Sequence, residues 1–170
     1  MRMNAPASLL LSMLVTFASA PAAIATEAPP TSAAPADRSR HGDPAEYEQR
    51  DRPVTPQDLR ILARTAELLA DPAAWNRQDD RECRDDEAAG RRSLFCALQA
   101  ASIEVLGSYD HRRVALQEVR FAIQELVPGR EFEHRLRDFN NLPGTTLEEV
   151  HEVLRIARRR VDARLQAPAR

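Results

Sequence analysis

The residues of this chain best suited to covalent chemistry are its two cysteines, Cys83 and Cys96. Cys96 lies three positions beyond Ser93, a residue type that caps helix N-termini, and a helix N-terminus lowers the pKa of a nearby thiol. A thiolate nucleophile also needs a base. No histidine is close in sequence, so His111 or His134 would have to be delivered by the fold. Two other readings stand beside that one. Cys96 could be a packing thiol with Cys83 incidental, or the two could form a disulfide tying a polar loop to the first turn of a helix. An oxidising compartment favours the disulfide.

Between the cysteines and just before them runs Asp79-Asp80-Arg81-Glu82-Cys83-Arg84-Asp85-Asp86-Glu87, six acids in nine positions. Calcium takes carboxylate oxygens. The alternating spacing and central glycine of a calcium loop are absent, however, and Arg81 and Arg84 interrupt the run, so a solvated loop is the favoured reading. The histidines, His41, His111, His134 and His151, show neither HExxH nor i, i+4 spacing. His134 and His151 flank the segment Asn140 to Glu149 and could converge with Glu148 or Glu152. No metal set, phosphate-binding loop, cofactor fingerprint or nucleophile–base pair is legible. The expectation is therefore no cofactor, no metal and no assigned catalytic residue, leaning away from an enzyme.

One further segment has spacing worth attention. In Asn140-Asn141-Leu142-Pro143-Gly144-Thr145-Thr146-Leu147-Glu148-Glu149, Pro143-Gly144 makes a tight turn. Thr145 or Thr146 then accepts from the orphan N–H groups of a final helix, and Glu149 reaches back in a capping box. Asn140 and Asn141 suit hydrogen bonding to the turn backbone. A structural role is favoured over ligand binding for Asn140, Asn141, Thr145, Thr146 and Glu149.

These residues must be positioned by helices. Ala, Leu, Arg and Glu dominate the composition, aromatics are 5% and glycines number five, which favours helix because the dominant side chains lose little rotamer freedom there. Five helical segments can be placed, and no stretch alternates long enough for a strand. The first opens with Thr55 as N-cap, Pro56 at its first position and Asp58 completing a Thr-x-x-Asp start. Its stripe is Leu59, Leu62, Ala63, Ala66, Leu69 and Ala70, and Asp71-Pro72 ends it. Trp75 follows, as a core lid or a ligand platform, and a polar loop runs from Asn76 to Arg92. Ser93 caps the second helix, Leu94 to Leu106, which Gly107 closes. With Phe95, Ile103 and Leu106 beside its main stripe, it reads as apolar nearly all round and therefore central. Asp110 can cap the third helix, with Ala115, Val119, Ala122, Ile123 and Leu126 inward. A short fourth helix carries Phe132, Leu136 and Phe139. The last carries Leu147, Val150, Leu154, Ala157, Val161 and Leu165. The expected fold is all-α, one compact array of about five helices around the apolar helix Leu94 to Leu106.

The N-terminal region reads differently. Residues 1–25 resemble a cleavable secretory signal: Arg2, then the apolar run Leu9 to Phe17, then the small-residue site Ala23-Ile24-Ala25. That run is too short to span a bilayer. Residues 26–54 form a Pro/Ala-rich spacer without apolar periodicity, expected to be disordered, and residues 55–166 form the helical domain. The expected location is the periplasm or the medium. The net charge is −2, and all 24 basic residues are arginines. Such a balance lacks the field of a general nucleic-acid binder, so no nucleic-acid partner is expected. Arg155, Arg158, Arg159, Arg160 and Arg164 crowd the last helix, where they suit its dipole and leave room for an anionic contact.

The segment Phe139-Asn140-Asn141-Leu142-Pro143-Gly144-Thr145-Thr146-Leu147-Glu148-Glu149-Val150 resembles the closing motif of an uncharacterised family of small bacterial and phage domains. That motif reads Trp-Asn-Asp, then Pro-Gly, a Thr, and a Glu-Val pair. The family's early helix ending near a Trp, and its Cys-Ala-x-Gly-Ala helix start, are similar to Leu59–Trp75 and Cys96-Ala97-Leu98-Gln99-Ala100. The resemblance spans Asp58 to Ala157. This chain departs from it at Phe139, where Trp is usual, at Asn141, where Asp is usual, and at Gln99, where Gly is usual. Asn141 could not act as a base in place of an Asp. The resemblance implies a fold and no activity.

The function expected from these readings is a non-catalytic binding or accessory protein of the cell envelope. The alternatives are a small hydrolase or thiol-redox enzyme using Cys96 or the acidic loop, and a protein inhibitor or other interaction partner.

Overall fold

The computed structural model describes Tyr47, residues 49–84 and residues 88–167. The proposed leader, most of the spacer and the last three acids of the acidic loop lie outside the described residues. The elements, in order, are α1 (Pro56–Leu68), a 3-10 turn (Pro72–Ala74), α2 (Leu94–Leu106), α3 (Val114–Leu126), α4 (Arg135–Asn141) and α5 (Leu147–Gln166). The fold is all-α, and no strand occurs among the described residues; a single backbone bridge joins Trp75 and Arg92.

The principal packings are α3 on α5, α1 on α2 and α1 on α5. The core they enclose includes Ile61, Leu62, Leu98, Leu116, Ile123, Phe139, Val153 and Val161. Burying each such large side chain is favourable by roughly 1.5–3 kcal/mol. The central position is shared. Six residues of α2 are buried, but nine of α3 are, including Gln117, Glu118 and Arg120. Ile103, expected to be inward, is 48% exposed. The α2 sequence is apolar beyond the face that its neighbours can cover.

In α1 the buried face is Asp58, Ile61, Leu62 and Thr65. Sequence periodicity placed the stripe on Leu59, Leu62, Ala63 and Ala66, one position further round. The reason is Asp58, a carboxylate that the fold buries and that a hydropathy pattern reads as surface. Its Oδ2 accepts from the backbone N–H of Thr55 (2.9 Å), and its Oδ1 accepts from Arg113 Nε (2.8 Å) and from the backbone N–H of Ala115 (3.1 Å). Asp58 therefore closes the N-terminus of its own helix and supplies an acceptor to the first turn of α3. Asp110, expected to cap α3, instead holds the preceding turn by accepting from the backbone N–H of Arg112 (2.9 Å).

Ser93 caps α2 by accepting from the backbone N–H of Cys96, and Gly107 ends it at φ 74°. Only glycine takes that left-handed geometry without a Cβ penalty. Thr146 and Glu149 form the expected capping box at the start of α5.

The chain before Thr55 also packs on the domain. Arg50 Nε donates to Glu118 Oε1 (3.0 Å), and its guanidinium lies 3.8 Å from the centre of the Phe121 ring. Asp51 pairs with Arg112, and Arg52 with Asp110. Polar and cation–π contacts, not an apolar stripe, hold this segment against the helices.

Candidate functional site

Of the residues singled out in the closing segment, Asn140, Asn141 and Thr145 are brought together with the polar loop that follows Trp75, while Thr146 and Glu149 stay in the α5 capping box. Asn140 is the centre. It is fully buried in α4, and all four of its amide hydrogen-bonding capacities are filled. Its Oδ1 accepts from Trp75 Nε1 (2.9 Å) and from the backbone N–H of Leu94 (3.0 Å). Its Nδ2 donates to the backbone oxygen of Asn76 (3.0 Å) and to Asn141 Oδ1 (3.1 Å). Leu94 is the first residue of α2, so one of that helix's orphan N–H groups is satisfied from α4.

Asn141 reaches the other way. Its side chain accepts from the Asp79 backbone N–H (2.7 Å) and donates to the Asp79 backbone oxygen (2.9 Å), pairing with the loop as a strand would. Asp79 is buried; its Oδ2 accepts from Ser93 Oγ (2.8 Å) and its Oδ1 from the backbone N–H of Arg81 (2.7 Å). A carboxylate is thereby held at the N-terminus of α2, where the helix dipole favours negative charge. Thr145 Oγ1 donates to the Phe139 backbone oxygen (2.7 Å), and Arg77 donates to the backbone oxygens of Pro143 (2.8 Å) and Thr145 (3.0 Å). Backbone bonds from Asn76 to Arg92 and from Arg92 to Ala74 close the neck of the loop.

Cys83 and Cys96 are joined, with an S–S distance of 2.10 Å and a Cα–Cα distance of 5.5 Å. Both sulfurs are thus taken up in a bridge between the loop and the first turn of α2, and the thiolate chemistry considered for Cys96 is closed in this state. Arg81 and Cys83 adopt positive φ, 69° and 64°, so the loop is bent sharply where it meets the bridge.

The described histidines, His111, His134 and His151, are each engaged separately. Arg81 donates to His134 Nε2 (2.6 Å), which fixes that nitrogen as an acceptor because a guanidinium has no lone pair to offer. His151 Nε2 donates to the Leu69 backbone oxygen (3.1 Å) at the end of α1. His111 meets Tyr109 OH through Nδ1 (2.9 Å), and His41 lies outside the described residues. Glu148 and Glu152, considered as their companions, pair instead with Arg155. Among the described residues no group of three or more His, Cys, Asp or Glu side chains is placed to hold a metal ion. Among them, too, no helix is long and apolar enough to cross a membrane.

The model of a family of unknown function, DUF6197, matches residues 53–160, more than half of the chain. The chain belongs to this family. The DUF6197 match contains the whole arrangement just described: Trp75, the loop, the bridge and the closing segment. No curated protein and no solved structure matches the chain. Arg50 and Arg164, two of the partners of buried Glu118, lie outside the DUF6197 match.

Sequence reasoning missed Asp58, Glu118 and Gln117 as buried polar residues. It also missed a groove between α1 and α5 of about 390 Å³, lined by Leu62, Ala63, Ala66, Glu148, His151, Leu154, Arg155 and Arg158. The signal available was the pair Ala63 and Ala66, small residues placed in what read as a core stripe. Once the α1 face turns toward Asp58 and Ile61, these alanines fall on its flank and leave a hollow.

Proposed function

We propose that this chain is an exported, disulfide-bridged helical domain that works by binding, as an accessory protein of the cell envelope. The observation that carries this reading is the fate of the polar residues around Asn140. Asn140 has all its bonds filled by Trp75, Asn76, Leu94 and Asn141; Asn141 and Ser93 hold Asp79; and both cysteine sulfurs are in the bridge. The side chains that might have done chemistry are employed in holding a loop to α2 and α4. The Cys83–Cys96 bridge and the leader-like residues 1–25 both favour an oxidising compartment outside the cytoplasm. The spacer that follows would serve as a tether between leader and domain, and the surface of the helical array would meet the partner.

Two measurements test this. Expression of the full chain, followed by fractionation and intact mass, should give a product in the periplasm or medium that begins at Thr26 and gains two mass units on reduction. A full-length product with free thiols confined to the cytosol would end the export part. For the binding part, the processed protein should retain a reproducible partner from envelope extract, and that partner, once purified, should bind it directly. Turnover of a substrate that is abolished by Asp79→Asn with the fold intact would overturn the non-catalytic reading.

A further inference from the structure

We propose that the groove between α1 and α5 binds a medium-chain acyl carboxylate, with the hydrocarbon on the alanine-lined floor and the carboxylate at Arg158. This goes beyond the binding role above and does not depend on export. Three observations carry it. The volume, about 390 Å³, falls in the range of small-molecule sites. Its floor is apolar: Leu62 and Leu154, with Ala63 and Ala66 holding it open. Its rim is electrostatically polarised along α5. Glu148 and Arg158 are ten residues apart, which spans roughly 15 Å at the rise of a helix.

At the Glu148 end, charge is already balanced. Arg155 pairs with Glu148 at 2.8 Å and also with Glu152, and Glu152 pairs in turn with Arg159. At the other end Arg158 is exposed, and among the described residues it has no ion pair. It is a cation beside an apolar hollow. An amphiphile would therefore orient its anion toward Arg158 and its tail toward Glu148. The reverse orientation would set two carboxylates together and leave Arg158 unmatched.

The backbone around the groove selects an acyl chain over a peptide. Apart from Glu148 in the first turn of α5 and Ala66 in the last turn of α1, the lining residues lie inside the two helices, where backbone N–H and C=O groups bond within the helix. The nearby Leu69 carbonyl, at the end of α1, is taken by His151. A peptide main chain entering here would leave its own polar groups without partners, which is unfavourable. A hydrocarbon tail has no such groups, and only its carboxylate needs a partner, a cationic donor such as Arg158.

The test is calorimetric titration of the full chain with octanoate, beside acetate, octyltrimethylammonium and a short peptide ending in leucine. Octanoate should bind saturably, while acetate, lacking the tail, and octyltrimethylammonium, lacking the anion, should not. Arg158→Gln, a surface change, should weaken octanoate about fivefold, the size of a partly solvent-screened charge contact. Ala66→Leu should abolish binding by filling the floor, with circular dichroism checking that the fold is kept. Absence of saturable octanoate heat, equal binding by Arg158→Gln, or equal binding of octyltrimethylammonium would each overturn the proposal. Tighter binding of the peptide than of octanoate would overturn the acyl assignment. None of these results would bear on where the chain is processed, so this inference and the envelope role fail separately.

Discussion

At the scale of single residues, two buried amides have opposite consequences. Asn140 has every donor and acceptor engaged, so its removal orphans groups on the Trp75–Asn76 segment and at the start of α2. Asn140→Ala should destabilise the domain by about 3 kcal/mol, since each buried polar group left unsatisfied costs roughly 1–3 kcal/mol. Urea denaturation should show the loss as a lower midpoint at unchanged slope. Gln117 is the converse case. It is wholly buried in α3, and neither amide atom has a hydrogen-bond partner among the described residues. Gln117→Met keeps the length of the side chain and removes the unsatisfied atoms, so it should stabilise by about 1 kcal/mol in the same assay. A loss of stability instead would mean that Gln117 is satisfied by a group such as an internal water. The importance of Asn140 was partly legible in the spacing of the closing segment. Gln117 was not legible, because in sequence a polar residue beside Glu118 reads as solvent-facing.

At the scale of elements, the junction of α1 and α3 depends on one carboxylate. Asp58 is fully buried, and it receives bonds from Arg113, Thr55 and the first turn of α3. Truncation strands a guanidinium and several N–H groups. Asp58→Ala should therefore be destabilising by about 3–4 kcal/mol, in the range seen when one partner of a buried ion pair is removed. A double-mutant cycle with Arg113→Ala should show strong coupling; simple additivity would place the role of Asp58 in its helix cap alone. The helices themselves were readable. Ser93, Gly107, Thr146 and Glu149 mark their ends by local chemistry that needs no tertiary partner. The start of α3 was misread because its first-turn acceptor comes from a residue 57 positions away, and no local pattern encodes that.

At the scale of the whole molecule, a strap of chain is bound by charge to the α3–α5 pair. Glu118, buried, receives Arg50 Nε at 3.0 Å and Arg164 Nη1 at 2.8 Å, with Arg160 Nη1 at 4.0 Å. Arg164 also donates to the Arg52 backbone oxygen (3.0 Å). Arg50→Ala should lower stability by only about 1 kcal/mol, because Arg50 is half exposed and Arg164 still compensates the carboxylate. Arg50→Ala with Arg164→Ala should lose more than the sum of the two, since the buried charge then keeps only its most distant cation. Additive losses in urea denaturation would show that the strap and α5 act independently on Glu118.

By itself the sequence determined an all-α domain, both ends of α2, the starts of α1 and α5, and the segment that would close it. Those features follow from periodicity and from capping groups that act within a turn or two of chain. Only the tertiary structure decided which flank of α1 faces inward, that Asp58, Gln117 and Glu118 are buried, that Asn140 ties the Trp75 loop to α2, and that Ala63 and Ala66 border a groove. Each of these depends on a neighbour dozens of residues away. A side chain's environment is set by what packs against it, and that information is absent from any local window of sequence.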